Sequence, residues 1–364
     1  MQPQLPNELV DMIFDLVWRT FIPTISYDPS RYSSPKQHAL EARLRWSSFG
    51  RLCQASRQFK AIVEDLARRT IIIEYEEDFT MHHKLASAAL NREGAPLLTE
   101  LFITIPFLQQ TELPPAVLLR ERIFDFMATC RSLSVLLNRS HVSKPGLCEI
   151  QLAFDCLSRA QGACRDVHLV WLHPHRARFW LPTTLVPAPA ILSPAAFQGA
   201  VTPQYPGVRS LRLANYPRCT CPCVGGQRGG AGGAGHVPRC LSHLLPTLFS
   251  ELERVHFETP CSLKHVVLPP AVARLEIDAP PQCGRASGSL VLWSLASAVN
   301  GGLMRMQVEE EDWAWRKKLI VVNTGPLEPD GWAVAMAACE KARIGLERRA
   351  VYKIGSGTTI EAVQ

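Results

Sequence analysis

The chain has 364 residues, of which 47% are hydrophobic, enough for a sizeable core in two or three domains and too many for wholesale disorder. Its 39 Lys+Arg against 33 Asp+Glu leave a formal charge of +6, scattered along the chain, which argues against nucleic-acid and membrane partners. No stretch approaches the roughly 18 consecutive apolar residues of a membrane span, and acidic Glu8 and Asp11 follow at once on the first residues, unlike a secretory leader. An intracellular protein, cytoplasmic or nuclear, is expected, with its 12 Cys as reduced thiols.

The first element predicted is a helix of three to four turns over Leu5 to Trp18, with Pro6 in the first turn and Glu8 at the positive end of the dipole. Leu9, Ile13 and Leu16 share one face. Val10, Phe14 and Val17 repeat that spacing one position on, and Asp11 and Asp15 are left for water. So wide an apolar arc is expected either to sit deep in a domain or to divide itself between its own core and a partner, and its place at one end of the chain points to the second. Residues 21 to 37, with Pro23, Pro29 and Pro35, have loop composition. Helical spacing resumes at Leu40, Leu44 and Trp46 and continues through Phe49, Leu52, Cys53, Phe59, Ile62, Val63 and Leu66, with a basic outer side of Arg51, Arg57, Lys60, Arg68 and Arg69.

Two parts of this segment, Leu5-Pro6-x-Glu8-Leu9-x3-Ile13-Phe14-x-Leu16 and Leu52-Cys53-x3-Arg57-x-Phe59-x2-Ile62-Val63, together resemble an F-box. The resemblance spans residues 3 to 68, under a fifth of the chain. It implies a three-helix motif that docks on the Skp-type adaptor of a cullin-RING ubiquitin ligase, with Leu5, Pro6, Leu9, Ile13, Phe14 and Leu16 as the adaptor-binding residues. This chain departs from the family in a Pro-interrupted insertion at about 19–39, where the family joins its first two helices through a few residues.

Beyond Arg69 short β-like runs begin with Thr70 to Tyr75, and an apolar-x-apolar unit then recurs, at Leu101/Ile103, Leu133/Val135, Val167/Leu169, Leu211/Leu213, Val255/Phe257, Leu275/Ile277 and Ile320/Val322. From Leu101 onward the steps run from 20 to 45 residues, the range in which one strand plus one connection makes a repeat. Cys130-Arg131-Ser132-Leu133, Cys164-Arg165-Asp166-Val167 and Val208-Arg209-Ser210-Leu211 look alike, and helices are predicted over 116–129 and 147–159. Units that cannot bury an apolar face alone are expected to stack into a solenoid with a parallel sheet; an α/β sandwich with similar spacing is the alternative. The array resembles a degenerate leucine-rich repeat, without a consistent Asn or Cys ladder. The last unit predicts a strand over 318–323, Asp330 as N-cap, a helix turning Trp332, Met336, Cys339 and Ile344 to the core, Gly345 as its stop, and a final strand near 350–354.

Expected, then, is an α+β chain: an F-box-like three-helix motif over 1–69, then an irregular α/β leucine-rich-repeat-like solenoid over 70–364 with a flexible Gly-rich loop at about 219–240. Phosphate loops, dinucleotide fingerprints and zinc-binding helix motifs are absent, so no catalytic residue, no cofactor and no enzyme is expected. Gly355-Ser356-Gly357 belongs to a flexible tail, His173-Pro174-His175 to a surface turn, and 181–206 to a Pro/Ala-rich loop. Cys219, Cys221, Cys223 and Cys240 offer four thiols to zinc, but paired Cys-x2-Cys spacing is missing and a solvent loop is expected instead. The function expected is that of a substrate-recognition subunit of an SCF-type ubiquitin ligase, holding the Skp-type adaptor at one end and a target protein on the repeats. The rival expectation is a stand-alone repeat scaffold whose N-terminal helices cap it. Nothing in the sequence names the target.

Overall fold

The computed structural model describes residues 6–20, 48–73, 100–103, 127–137, 149–171, 204–216, 241–258, 260–280, 287–304 and 318–351. Nine strands lie in one parallel sheet in chain order: β1 (Thr70–Ile73), β2 (Glu100–Ile103), β3 (Ser132–Leu137), β4 (Asp166–Trp171), β5 (Ser210–Ala214), β6 (Arg254–Glu258), β7 (Arg274–Asp278), β8 (Leu319–Thr324) and β9 (Gly345–Ala350). The helices are α1 (Asn7–Thr20), α2 (Arg57–Arg68), α3 (Glu149–Arg159), α4 (Leu241–Leu248), α5 (Ser287–Asn300) and α6 (Trp332–Lys341), with a further helical segment at 48–53. The chain is thus α+β, and no helix among the described residues is long and apolar enough to cross a membrane. Leu5, most of the 19–39 insertion, residues 116–126, His173 and His175, residues 181–203, the Cys/Gly-rich 219–240 and the Ser356 tail lie outside the described residues.

All of the apolar-x-apolar units fall in strands, and they fall in the same two columns. Ile71, Leu101, Leu133, Val167, Leu211, Val255, Leu275, Ile320 and Leu346 stand side by side across the sheet. Two residues on, Ile103, Val135, Leu169, Leu213, Phe257, Ile277 and Val322 do the same. Alternation along a strand sends both columns to one face, where Phe154 of α3, Leu245 of α4, Leu295 of α5 and Ala338 of α6 complete one core.

Just before β4, β5, β6 and β7 one backbone carbonyl of the preceding unit ties down the incoming chain. The Arg131 oxygen accepts from the amides of both Arg165 and Asp166, at 2.8 and 3.0 Å. The Arg165 oxygen does the same for Arg209 and Ser210, the Arg209 oxygen for Glu253 and Arg254, and the Glu253 oxygen for Ala273 and Arg274. One position earlier, Cys130, Cys164, Val208, Leu252 and Val272 are all buried. The likeness of Cys-Arg-Ser-Leu, Cys-Arg-Asp-Val and Val-Arg-Ser-Leu is therefore the likeness of three equivalent turns. Burial pushes the Cys130 and Cys164 thiols up, keeping them protonated, and their Sγ–H groups point to the carbonyls of Ser132 and Asp166.

The last unit departs from expectation in detail. The N-cap of α6 is Gly331, left-handed at φ 86°, without a side-chain cap bond, so Asp330 does not cap the helix. The buried strip of the helix is Ala335, Ala338 and Cys339; of the residues expected to face the core, Cys339 and Ile344 are buried and Trp332 packs against the same core, while Met336 is exposed. Ala335 and Ala338 let the helix lie close to α5 and the sheet, and Ala335 takes the core-facing place expected of Met336. The reversal comes at Arg343, left-handed at φ 56°, so that Gly345 opens β9 rather than closing the helix, and the last strand begins five residues earlier than predicted.

At the other end, Phe14, Trp18, Phe49, Val63 and Leu66 form a small separate core. The Phe14 ring lies 5.0 Å from Phe59 and 6.3 Å from Phe49, and Trp18 meets Phe49 edge-on at 5.1 Å. Helix α2 runs into β1 after a single residue, Arg69, whose carbonyl accepts from the Glu100 amide of β2 at 3.1 Å.

Candidate functional site

Two surfaces concentrate chemistry. The first is the outer side of α1. Leu9, Met12, Ile13, Leu16 and Val17 are between 43% and 67% exposed, and Leu52 of the neighbouring helical segment is 40% exposed. Their opposite side is spoken for: Val10, Phe14 and Trp18 belong to the small core. Helical spacing separates the two sets, and the wide arc read from the sequence is one face turned inward and one turned out. Of the expected adaptor-binding residues, Leu9, Ile13 and Leu16 are gathered on the exposed side and Pro6 is exposed at the helix start. Phe14 is placed in the core, 9% exposed, so its expected contact with an adaptor is not available on this surface. Met12, Val17 and Leu52 join the exposed set; their signal was the same helical spacing, one residue further round.

The second surface is the face of the sheet away from the helices, where β4 to β8 carry a chain of polar contacts. Arg212 Nε donates to Glu258 Oε1 at 2.8 Å, and a terminal guanidinium nitrogen reaches the same oxygen. That oxygen stands 3.8 Å from His168 Nε2 and 3.8 Å from His256 Nδ1. His256 Nε2–H donates to Asp278 Oδ1 at 3.0 Å. Asn323 Nδ2 then donates both to Asp278 Oδ1 at 2.7 Å and to Glu276 Oε1 at 2.8 Å, and two acceptor neighbours fix which way that amide points. Glu258 and Asp278 are only 2% and 1% exposed, a burial tolerable for carboxylates when paired in this manner.

Electrostatics follow the geometry. Burial alone would lower the His256 pKa, but the hydrogen bond to Asp278 and the charges of Asp278 and Glu258 outweigh it, and the imidazole titrates above its ordinary 6.5. For Glu276 burial acts upward, and the Asn323 bond with the positive charges around it carries the carboxyl below its ordinary 4.5. Ser134, His168 and Glu258 follow one another across the face in the order of a hydrolase relay. Their contacts, 3.4 Å for Ser134 Oγ to His168 Nδ1 and then 3.8 Å to Glu258, are too long for a nucleophile and its base, and all three are buried. No cluster able to hold a metal ion occurs among the described residues.

Sequence reasoning missed this second surface because its residues are single polar positions whose partners lie 22 to 47 residues away. The only signal available was the identity of the residue inside each apolar-x-apolar unit: Ser134, His168, Arg212, His256, Glu276. Comparison with protein families, with curated proteins and with solved structures finds no match to the chain.

Proposed function

We propose that the chain is a substrate-recognition subunit of a cullin-RING ubiquitin ligase, its N-terminal helices forming an F-box-like motif and its sheet a leucine-rich-repeat-like array. The observation that carries this reading is the two-sided α1: one side secures a small core and the other presents Leu9, Ile13 and Leu16 to solvent. Each such residue contributes on the order of 2 kcal/mol when buried against a partner, and a contiguous apolar helix face is the usual form of a helix-docking site. The strictly sequential parallel strands, with the described helices packed on one face, support the repeat half of the reading. On the other face, Arg212, Glu276 and His256 are the parts of the polar chain that reach solvent.

The test is co-purification of the full chain with a purified Skp-type adaptor, beside the Ile13→Asp variant. Binding by the parent and loss in the variant, with an unchanged circular dichroism spectrum, is expected; binding that survives Ile13→Asp, or no binding by either, overturns the proposal. The second reading, a repeat scaffold with a helical cap, is favoured by the passage of α2 into β1 through Arg69. Under that reading the helices serve mainly to cover the β1 end, and removal of residues 1–69 unfolds the remainder.

A further inference from the structure

Among the described residues, strand β9 is the last of the sheet and has one unpaired edge. Glu347, Arg348, Arg349 and Ala350 are all exposed, and the only strand paired with β9 among the described residues is β8. The Gly345 amide donates to Lys318 O and the Val351 amide to Thr324 O. In a parallel ladder the backbone groups of alternate residues turn to the same neighbour, so the odd-numbered residues face β8. The N–H and C=O groups of Leu346, Arg348 and Ala350 therefore face away from the sheet, forming a template for one more strand.

The side chains specify which strand fits. Glu347 and Arg349 share the polar face of the sheet, where Arg349 lies 3.7 Å from Glu347. When β9 meets a second β9 antiparallel about a two-fold axis at Arg348, Glu347 of each copy lies opposite Arg349 of the other. Leu346 lies opposite Ala350, and all three outward backbone groups of each strand are used. The two Glu–Arg pairs occupy the positions between ladder hydrogen bonds, where side chains of antiparallel strands come closest. Shifting the axis to Glu347 or to Arg349 sets like charges against each other there and forms neither pair. The central register has one cost, Arg348 beside its own copy, against two opposite-charge pairs gained. On the helix side, α6 packs along this edge and carries exposed Val334 and Met336 on either flank of its buried strip.

We propose that this chain self-associates through β9, two copies pairing antiparallel about Arg348 into one continuous sheet. A single strand pair is a small interface, so the dimer is weak and reversible. Charged residues on an edge normally repel foreign strands, and here the same charges select an identical one. The inference is independent of adaptor binding, which lies at the other end of the sheet.

The experiment is sedimentation of the full chain over a dilution series at low salt, where the ion pairs are least screened. A concentration-dependent dimer is expected. Arg348→Pro removes an outward N–H and spares those that face β8, so it gives monomer with an unchanged circular dichroism spectrum. Glu347→Arg alone weakens association about tenfold, and Glu347→Arg together with Arg349→Glu restores it, a comparison that holds even where the proline variant misfolds. A parent that stays monomeric throughout, a dimer indifferent to Arg348→Pro, or a double reversal no better than the single one overturns the proposal.

Discussion

His256 and Asp278 face each other across neighbouring strands, Nε2–H to Oδ1 at 3.0 Å, with Glu258 3.8 Å from the other ring nitrogen. The folded-state pKa of His256 lies above 6.5, so its contribution to stability is complete below pH 6.5 and is lost as pH rises through the folded value. Besides those two carboxylates, the charges that bear on the ring are Glu276, its register partner on β7, and Arg212, which acts in the opposite direction and is held by Glu258. We expect the thermal midpoint to fall as pH is raised just above 6.5, and the His256→Gln variant to lose that part of the profile. Melting curves followed by circular dichroism across this range decide it; parallel profiles for parent and variant would remove His256 from the account.

The small N-terminal core predicts opposite outcomes for adjacent residues. Phe14→Ala removes a ring packed on Phe49 and Phe59 and should cost about 3–5 kcal/mol of that unit's stability. Ile13→Asp changes an exposed side chain and should cost under about 1 kcal/mol. Urea unfolding of the two variants checks the division of α1 into an inner and an outer side, and similar losses for both would contradict it.

Glycine substitutions separate a turn from a helix. A Cβ at Gly207 would lie 2.3 Å from the Gly162 carbonyl oxygen, a backbone atom that cannot swing aside, so Gly207→Ala should destabilise by about 1–3 kcal/mol. Gly50, in the helical segment at 48–53, has nothing within 4 Å of the same position. Gly50→Ala should therefore stabilise by about 0.5–1 kcal/mol. Differential scanning calorimetry of the pair tests the sign of each effect.

The sheet was legible because apolar-x-apolar units report a strand with one buried face whatever the distance to the next unit. Leu101/Ile103 through Ile320/Val322 all fell in place, and the three similar Arg-containing turns proved equivalent. The division of α1 was half legible. Its periodicity gives the width of the apolar arc, but which half is inward depends on where Phe49 and Phe59 lie, and that is a tertiary fact. The end of α6 was misread because Asp330 and Gly345 are good local signals overridden by left-handed Gly331 and Arg343. The polar chain from His168 to Asn323 was illegible for a different reason: its members come together only through strand register, and no local pattern marks them.

The repeated alignment at the start of the strands, held before β4 to β7 by a doubly accepting carbonyl, has a practical consequence. Since the alignment of Val255 with Leu275 and of Leu275 with Ile320 is the same although the chain takes 20 residues for the first step and 45 for the second, connection length does not set the register. The connections are therefore the editable part of this protein. A tag or reporter placed in the long stretch between β4 and β5 leaves every strand on its own face, while one residue added beside Arg165 or Arg209 swaps the inside and outside of the strand that follows.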